Sequence, residues 1–248
     1  CQCGHEDSRC HAADFTTDSC FNTRPHEAQE IYLMTVYMFP SITPSSNTFE
    51  LVTNTRTFQS PLTNAVQTVA RKGSLWKVSM QFNNLTGNDR AIMQAFLTKL
   101  NGQEHRMYLY DHSATKRGLA PSDDTLRVNG ANQTGSVLIV DGASGTTTGY
   151  LKAGDYVAFN NELHMVTEDV NSSGNALSFA KPNSDGTTTT TNGMPLAPPI
   201  RKPTVNDQQI DYLQPIYGVF MLSSSASWDT KPGLVSSFTI DAVEDVLA

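Results

Sequence analysis

The stretch LKAGDYVAFNNELHMV, residues 151–166, brings Asp155, Glu162 and His164 within ten positions. Carboxylates and imidazoles are the groups that hold divalent metals or exchange protons, so the first question is whether these three converge. Asn160-Asn161 has the composition of a two-residue turn that accepts positive φ. It would pair Phe159 with Glu162, Ala158 with Leu163, Val157 with His164, Tyr156 with Met165 and Asp155 with Val166. Tyr156, Ala158, Leu163 and Met165 then share the core face of a hairpin. Glu162 and His164 fall on the opposite face beside Phe159 and Val157, which reads as a solvated surface. Asp155 closes the far end, where Gly154-Asp155 turns into the strand. Two positions apart on one strand, Glu162 and His164 have Cβ atoms roughly 7 Å apart, and the sequence offers no obvious third ligand. The trio is expected to decorate a hairpin, not to bind a metal.

The other chemical candidates are weaker still. YDHSA (110–114) places Asp111, His112 and Ser113 in a row, but neighbours on a strand point to opposite faces and cannot form a catalytic line. No G-x-S-x-G elbow, H-E-x-x-H helix or P-loop occurs. The glycine-rich GASGTTTG (142–149) lacks the strand-then-helix context of a phosphate cradle and reads as a loop. Asp123-Asp124 in a Pro-Ser turn and Glu244-Asp245 at the end of the last strand read as solvated acids. Trp76 belongs to the apolar face of its strand and Trp228 to the turn SASWDTKPG, which leaves little for stacking on a sugar. All four cysteines, Cys1, Cys3, Cys10 and Cys20, lie in the first twenty positions near His5, His11 and His26. The pattern C-x-C-x6-C-x9-C lacks the paired knuckles of a zinc site, and disulfides, free thiols and a metal all remain open. No catalytic, cofactor-binding or metal-binding residue is assigned, no cofactor is implied, and the chain does not read as an enzyme.

The elements that would position these residues are mostly strands. Hydrophobic content of 38% and charged content of 17% are both low for 248 residues, and Thr, Ser, Asn and Gly are abundant. That mix favours short strands and turns over long helices. In SLWKVSMQF (74–82), Trp76, Val78, Met80 and Phe82 alternate with polar residues, the mark of a half-buried strand. LTGNDRAIMQAFLTKLNG (85–102) predicts the one helix. Thr86 and Asp89 resemble a capping box, Ile92, Met93, Phe96, Leu97 and Leu100 form a stripe, and Gly102 is placed to end it. HRMYLYDH (105–112) predicts a strand directly after the helix. Between about Pro121 and Pro199, short strands separated by Asn-Gly and Asp-Gly turns suggest a small barrel or sandwich. SDGTTTTTNGMPLAPP (184–199) reads as a polar loop or linker, and YGVFMLSSS (217–225) and LVSSFTIDAVEDV (234–246) return to longer strands.

The formal charge is −7. Six acids against Arg9 and Arg24 give residues 1–33 a net of −4 and leave −3 for the remainder. No Lys/Arg stripe suits a phosphate backbone, so nucleic acid is not an expected partner. No apolar run approaches the ~20 residues of a membrane helix and no signal-peptide pattern occurs, which leads us to expect a soluble protein made in the cytoplasm with no membrane insertion. MTVYMFP at Met34 reads like a natural start, making residues 1–33 a candidate in-frame extension.

The order WKVSMQFNNLT, DRAIMQAFLTKLNG, YLYDHS…RGLAP, VNGANQTGSVLIVDG, GYLKAGDYVAFNNELHMVTEDV, NALSFAKP, PPIRKP and YGVFMLSSSASWD resembles the distal tail proteins of long-tailed bacteriophages. The resemblance runs from about residue 34 to the C-terminus and is one of spacing and hydrophobicity; residues 1–33 have no counterpart in it. It implies a mainly β fold: a β-sandwich with one packed helix, formed by 34–120 and 200–248 and interrupted by a small β-barrel or sandwich module at 121–199. It further implies a structural virion protein, assembled in the host cytoplasm into a six-membered ring at the tail tip. Its partners would be other copies of itself, the tail tube protein, the tip or hub protein, and tail fibres. A strand such as 217–225 could then pair with a neighbouring copy at an open edge. The other reading from the same virion is a receptor- or carbohydrate-binding module centred on 121–199.

Overall fold

The structure, a computed structural model, describes residues 34–71, 73–224 and 226–245. From Met34 onward the described residues belong to one compact unit. The expectations for Cys1, Cys3, Cys10 and Cys20 lie outside the described residues.

The described chain is mainly β with one helix. Its first part runs β1 (Val36–Met38), β2 (Ser46–Val52), β3 (Thr55–Gln59), β4 (Val66–Ala70), β5 (Leu75–Leu85), α1 (Gly87–Lys99) and β6 (Arg106–Leu109). The middle holds β7 (Arg127–Val128), β8 (Gly135–Leu138), β9 (Val140–Asp141), β10 (Thr146–Leu151), β11 (Tyr156–Phe159), β12 (Glu162–Val166) and β13 (Val170–Ser173). Next come β14 (Ala176–Pro182), β15 (Thr188–Asn192) and β16 (Met194–Ile200). β17 (Gly218–Leu222), β18 (Ser227–Lys231) and β19 (Val235–Glu244) complete it.

The largest sheet has the order β1-β6-β17-β19-β5-β2, with β18 also paired to β19. The alternation along β5 is realised: Trp76, Val78, Met80 and Phe82 are all buried, and β19 answers with Phe238, Ile240 and Ala242. Met93, Phe96, Leu97 and Leu100 of the helix press into the same core, and Phe96 meets Phe39 edge to face at 5.2 Å. Ile92, the remaining member of the expected stripe, is 40% exposed. Thr86 does stand at the N-cap with extended backbone, but its side chain makes no capping hydrogen bond, so the expected box does not form. Beyond Leu100 the chain leaves the helix through Asn101 and Gly102, both at positive φ.

A second core collects Leu126, Val128, Leu138, Val140, Tyr150, Leu151, Val170, Phe179, Leu196, Ile210 and Tyr212, among others. Two four-stranded sheets, β10-β13-β14-β15 and β11-β12-β16-β8, surround it. Here the expectation of a linker at 184–199 is overturned. β15 pairs with β14, and β16 lies between β12 and β8 with Met194, Leu196 and Ile200 buried. Prolines disguise this strand because they cannot donate, yet Pro195 still accepts from the Thr167 amide at 3.1 Å.

Three further expectations need correction. β17 is not an open edge: it lies between β6 and β19, and the free edges of the sheet's main path are β1 and β2. Trp228 is on strand β18 opposite Phe238, not in a turn. GASGTTTG (142–149) is only partly loop, since β10 begins at Thr146. Among the described residues no helix is long and apolar enough to cross a membrane.

Candidate functional site

Asn160 and Asn161 adopt φ of 56° and 61°, and the hairpin β11–β12 has the register their turn dictates. Tyr156 pairs with Met165, Val157 with His164, Ala158 with Leu163 and Phe159 with Glu162. At the open end of the hairpin, the Val166 amide of β12 donates to the Asp155 carbonyl just before β11, at 2.8 Å. Tyr156, Ala158 and Leu163 enter the first core, with Met165 packed against it. Val157, Phe159 and Val166 enter the second. The hairpin is therefore a partition with a hydrophobic core on each side.

This corrects the reading of Glu162 and His164 as solvated. Both are 0% exposed. Period-two alternation separates two faces correctly, but a strand covered on both faces also buries its polar set. Glu244, expected to be a solvated acid, is buried too.

The three groups meet Arg201, which follows β16. Arg201 grips Glu244 with two parallel hydrogen bonds, Nη1 to Oε2 at 2.8 Å and Nη2 to Oε1 at 2.7 Å. Its Nη1 also donates to the Ser74 carbonyl at 2.8 Å. Glu244 further accepts the Trp76 amide at 3.1 Å and the Leu163 amide at 2.9 Å. The Trp76 indole completes the loop by donating to the Leu163 carbonyl at 2.8 Å. Glu162 accepts the Arg201 and Lys202 amides at 3.3 and 3.1 Å, and its Oε1 lies 3.6 Å from Arg201 Nε. His164 stacks on Phe159 with ring centroids 4.6 Å apart. Its Nδ1 donates to the Pro198 carbonyl at 2.9 Å, and its Nε2 stands 3.3 Å from Glu162 Oε2 without the geometry of a hydrogen bond.

Burial alone pushes the Glu162 carboxyl up, but the His164 ring and the Arg201 guanidinium outweigh it and hold the group below the ordinary carboxylate range. Burial likewise works against the Arg201 charge, and the bond to Glu244 reverses that. A buried ion cluster of this kind is tolerated where charge is matched and most polar atoms are paired. Here both Nη atoms of Arg201 and both oxygens of Glu244 are bonded, while Arg201 Nε and His164 Nε2 meet Glu162 by charge alone. Its chemistry is that of a tie: a guanidinium next to the strand β16 of the second core is held by a carboxylate from β19 of the first.

Asp155, the third member of the opening trio, is occupied elsewhere. Its carboxylate accepts the amides of Arg117 at 2.8 Å, Gly118 at 2.9 Å and Lys152 at 2.8 Å. It thus clamps the segment entering the second core onto the turn before β11. Asp111 leaves the strand sooner than expected, and its carboxylate accepts Ser113 Oγ at 2.6 Å, Asn47 Nδ2 at 2.8 Å and Tyr156 Oη at 3.2 Å. The local turn brings Asp111 and Ser113 together where a continued strand would have parted them. His112 turns away to pack on Tyr110 at 4.2 Å. Asp124 is not merely solvated: it accepts the Tyr150 hydroxyl at 2.5 Å and the Ser144 amide at 2.9 Å. Burial and the Asp124 carboxylate in turn push the Tyr150 hydroxyl up.

Arg201 is the residue that sequence reasoning passed over. Its only signal was the cation pair Arg201-Lys202 in PPIRKP, set between an isoleucine and a proline. Among the described residues no group of three or more His, Cys, Asp or Glu side chains is arranged to hold a metal. Neither a protein-family model nor a curated protein matches the chain.

Proposed function

We propose that the chain is a structural protein of a phage virion, forming a six-membered ring at the distal end of the tail and joining the tail tube to the tip and its fibres. The observation that carries this reading is the β3–β4 hairpin. None of its residues belongs to either core, and Phe58, Leu62, Val66 and Val69 on it are exposed by 56%, 93%, 60% and 42%. An isolated two-stranded hairpin is marginal in water, and exposed apolar groups clustered on one mark an interaction surface. A protein that assembles would cover it.

The interior supports the same reading. The acid, imidazole and guanidinium groups that chemistry would use are spent on binding strands together. Negative-stain microscopy and light scattering of the purified full chain test the proposal. Closed rings of uniform subunit number are expected, and a chain that stays monomeric at high concentration would contradict it.

A further inference from the structure

The described surface also holds a groove. Two neighbouring clefts of about 410 and 420 Å³ share Gln209, Asp211 and Tyr217 in their walls. Exposed Met38 and Leu213 give the groove apolar patches, and Asp123, Asp124 and Asp211 give it negative charge. No Lys, Arg or His lines either cleft.

The hairpin is its complement. From Leu51 to Trp76 the sequence has no acidic residue and three cations, Arg56, Arg71 and Lys72. In the register of β3 with β4, Arg56 faces Val69 and Phe58 faces Gln67. Facing pairs two apart on a strand share one side of the ribbon, so Arg56, Phe58, Gln67 and Val69 form one cationic and apolar face. Thr55, Thr57, Gln59, Val66 and Thr68 form the other. Leu62 extends from the tip.

We infer that the Arg56–Phe58–Val69 face of one copy's hairpin docks in the Asp123–Asp211 groove of a second copy of this chain. The inference rests on the ring reading and specifies its interface. Donor and acceptor surfaces are different, so the contact is heterologous: each copy gives a hairpin and receives one, which closes into a ring where the rotation between copies permits. Opposite charges select the partner's groove and set the register, while the apolar groups supply burial.

Charge exchange tests it on the full chain. Arg56→Glu with Arg71→Glu reverses the hairpin, and Asp123→Arg with Asp211→Arg reverses the groove. All four side chains are exposed, and thermal melts check that each variant folds as wild type does. Light scattering across a dilution series then reads association. Each reversal alone is expected to weaken association by at least about tenfold, since like charges brought together oppose docking. Both reversals in one chain are expected to restore it. Leu62→Ser, which changes no charge, is expected to weaken association without rescue by the groove variant. Wild type that assembles while both reversals assemble equally well overturns the hairpin–groove contact and leaves the ring reading standing. Wild type that never assembles overturns both.

Discussion

Arg201 bears the largest single consequence of any residue described. Replacing it with Met would leave Glu244 and Glu162 buried without a cation, and loss of one partner from a buried ion pair costs about 3–5 kcal/mol. Chemical denaturation of Arg201→Met should show that loss, and Arg201→Lys, which cannot grip Glu244 with two parallel bonds, should recover only part of it. Glu162 predicts a pH dependence. The fold holds its carboxyl below the ordinary 4.5, so its charged form contributes stability above that pH. The contribution is lost as the pH falls through the folded value. Urea midpoints measured between pH 3 and pH 7 should therefore fall less steeply on the acid side in Glu162→Gln than in wild type. Equal slopes would show that the carboxylate does not feel His164 and Arg201 as the geometry requires.

At the level of elements, two predictions separate contacts that look alike in sequence. Thr86 occupies an N-cap yet makes no side-chain bond there. Thr86→Ala should consequently cost well under the ~1 kcal/mol usual for a cap, as read from thermal unfolding. Gly118 is the opposite case. A Cβ there would lie 2.5 Å from the Tyr150 carbonyl oxygen and 2.8 Å from the Asp155 carboxylate. Gly118→Ala should destabilise by about 1–3 kcal/mol, because the Asp155 clamp leaves that segment no room to retreat. What could be read in the sequence follows the same physics. The turn at Asn160-Asn161, the register it fixes and the buried alternation of β5 are local or periodic, and they were legible. The strand at 194–200 was hidden by its prolines. The burial of Glu162 and His164 was hidden because two-residue periodicity identifies faces without saying what covers each one. Arg201 and Glu244 are 43 residues apart in the chain, and only the fold introduces them.

For the whole molecule, the decisive fact is that two hydrophobic cores share one strand pair. Calorimetry of the full chain should show residues 34–245 melting as one transition, since neither core can open without losing a wall. Arg201→Met, which cuts the tie between β19 and the segment after β16, should broaden or split that transition. Two resolved transitions in wild type would mean that the cores are independent.

The partition formed by β11 and β12 also limits how this protein can be taken apart. Cutting near residues 121 and 199 to lift out the middle of the chain would carry off Tyr156, Ala158 and Leu163, which fill the first core. It would also strand Ile210 and Tyr212, which fill the second. A transplant of this middle segment into another host would have to bring both sides of its wall. Any recombination that exchanges it in nature must respect two sets of neighbours at once.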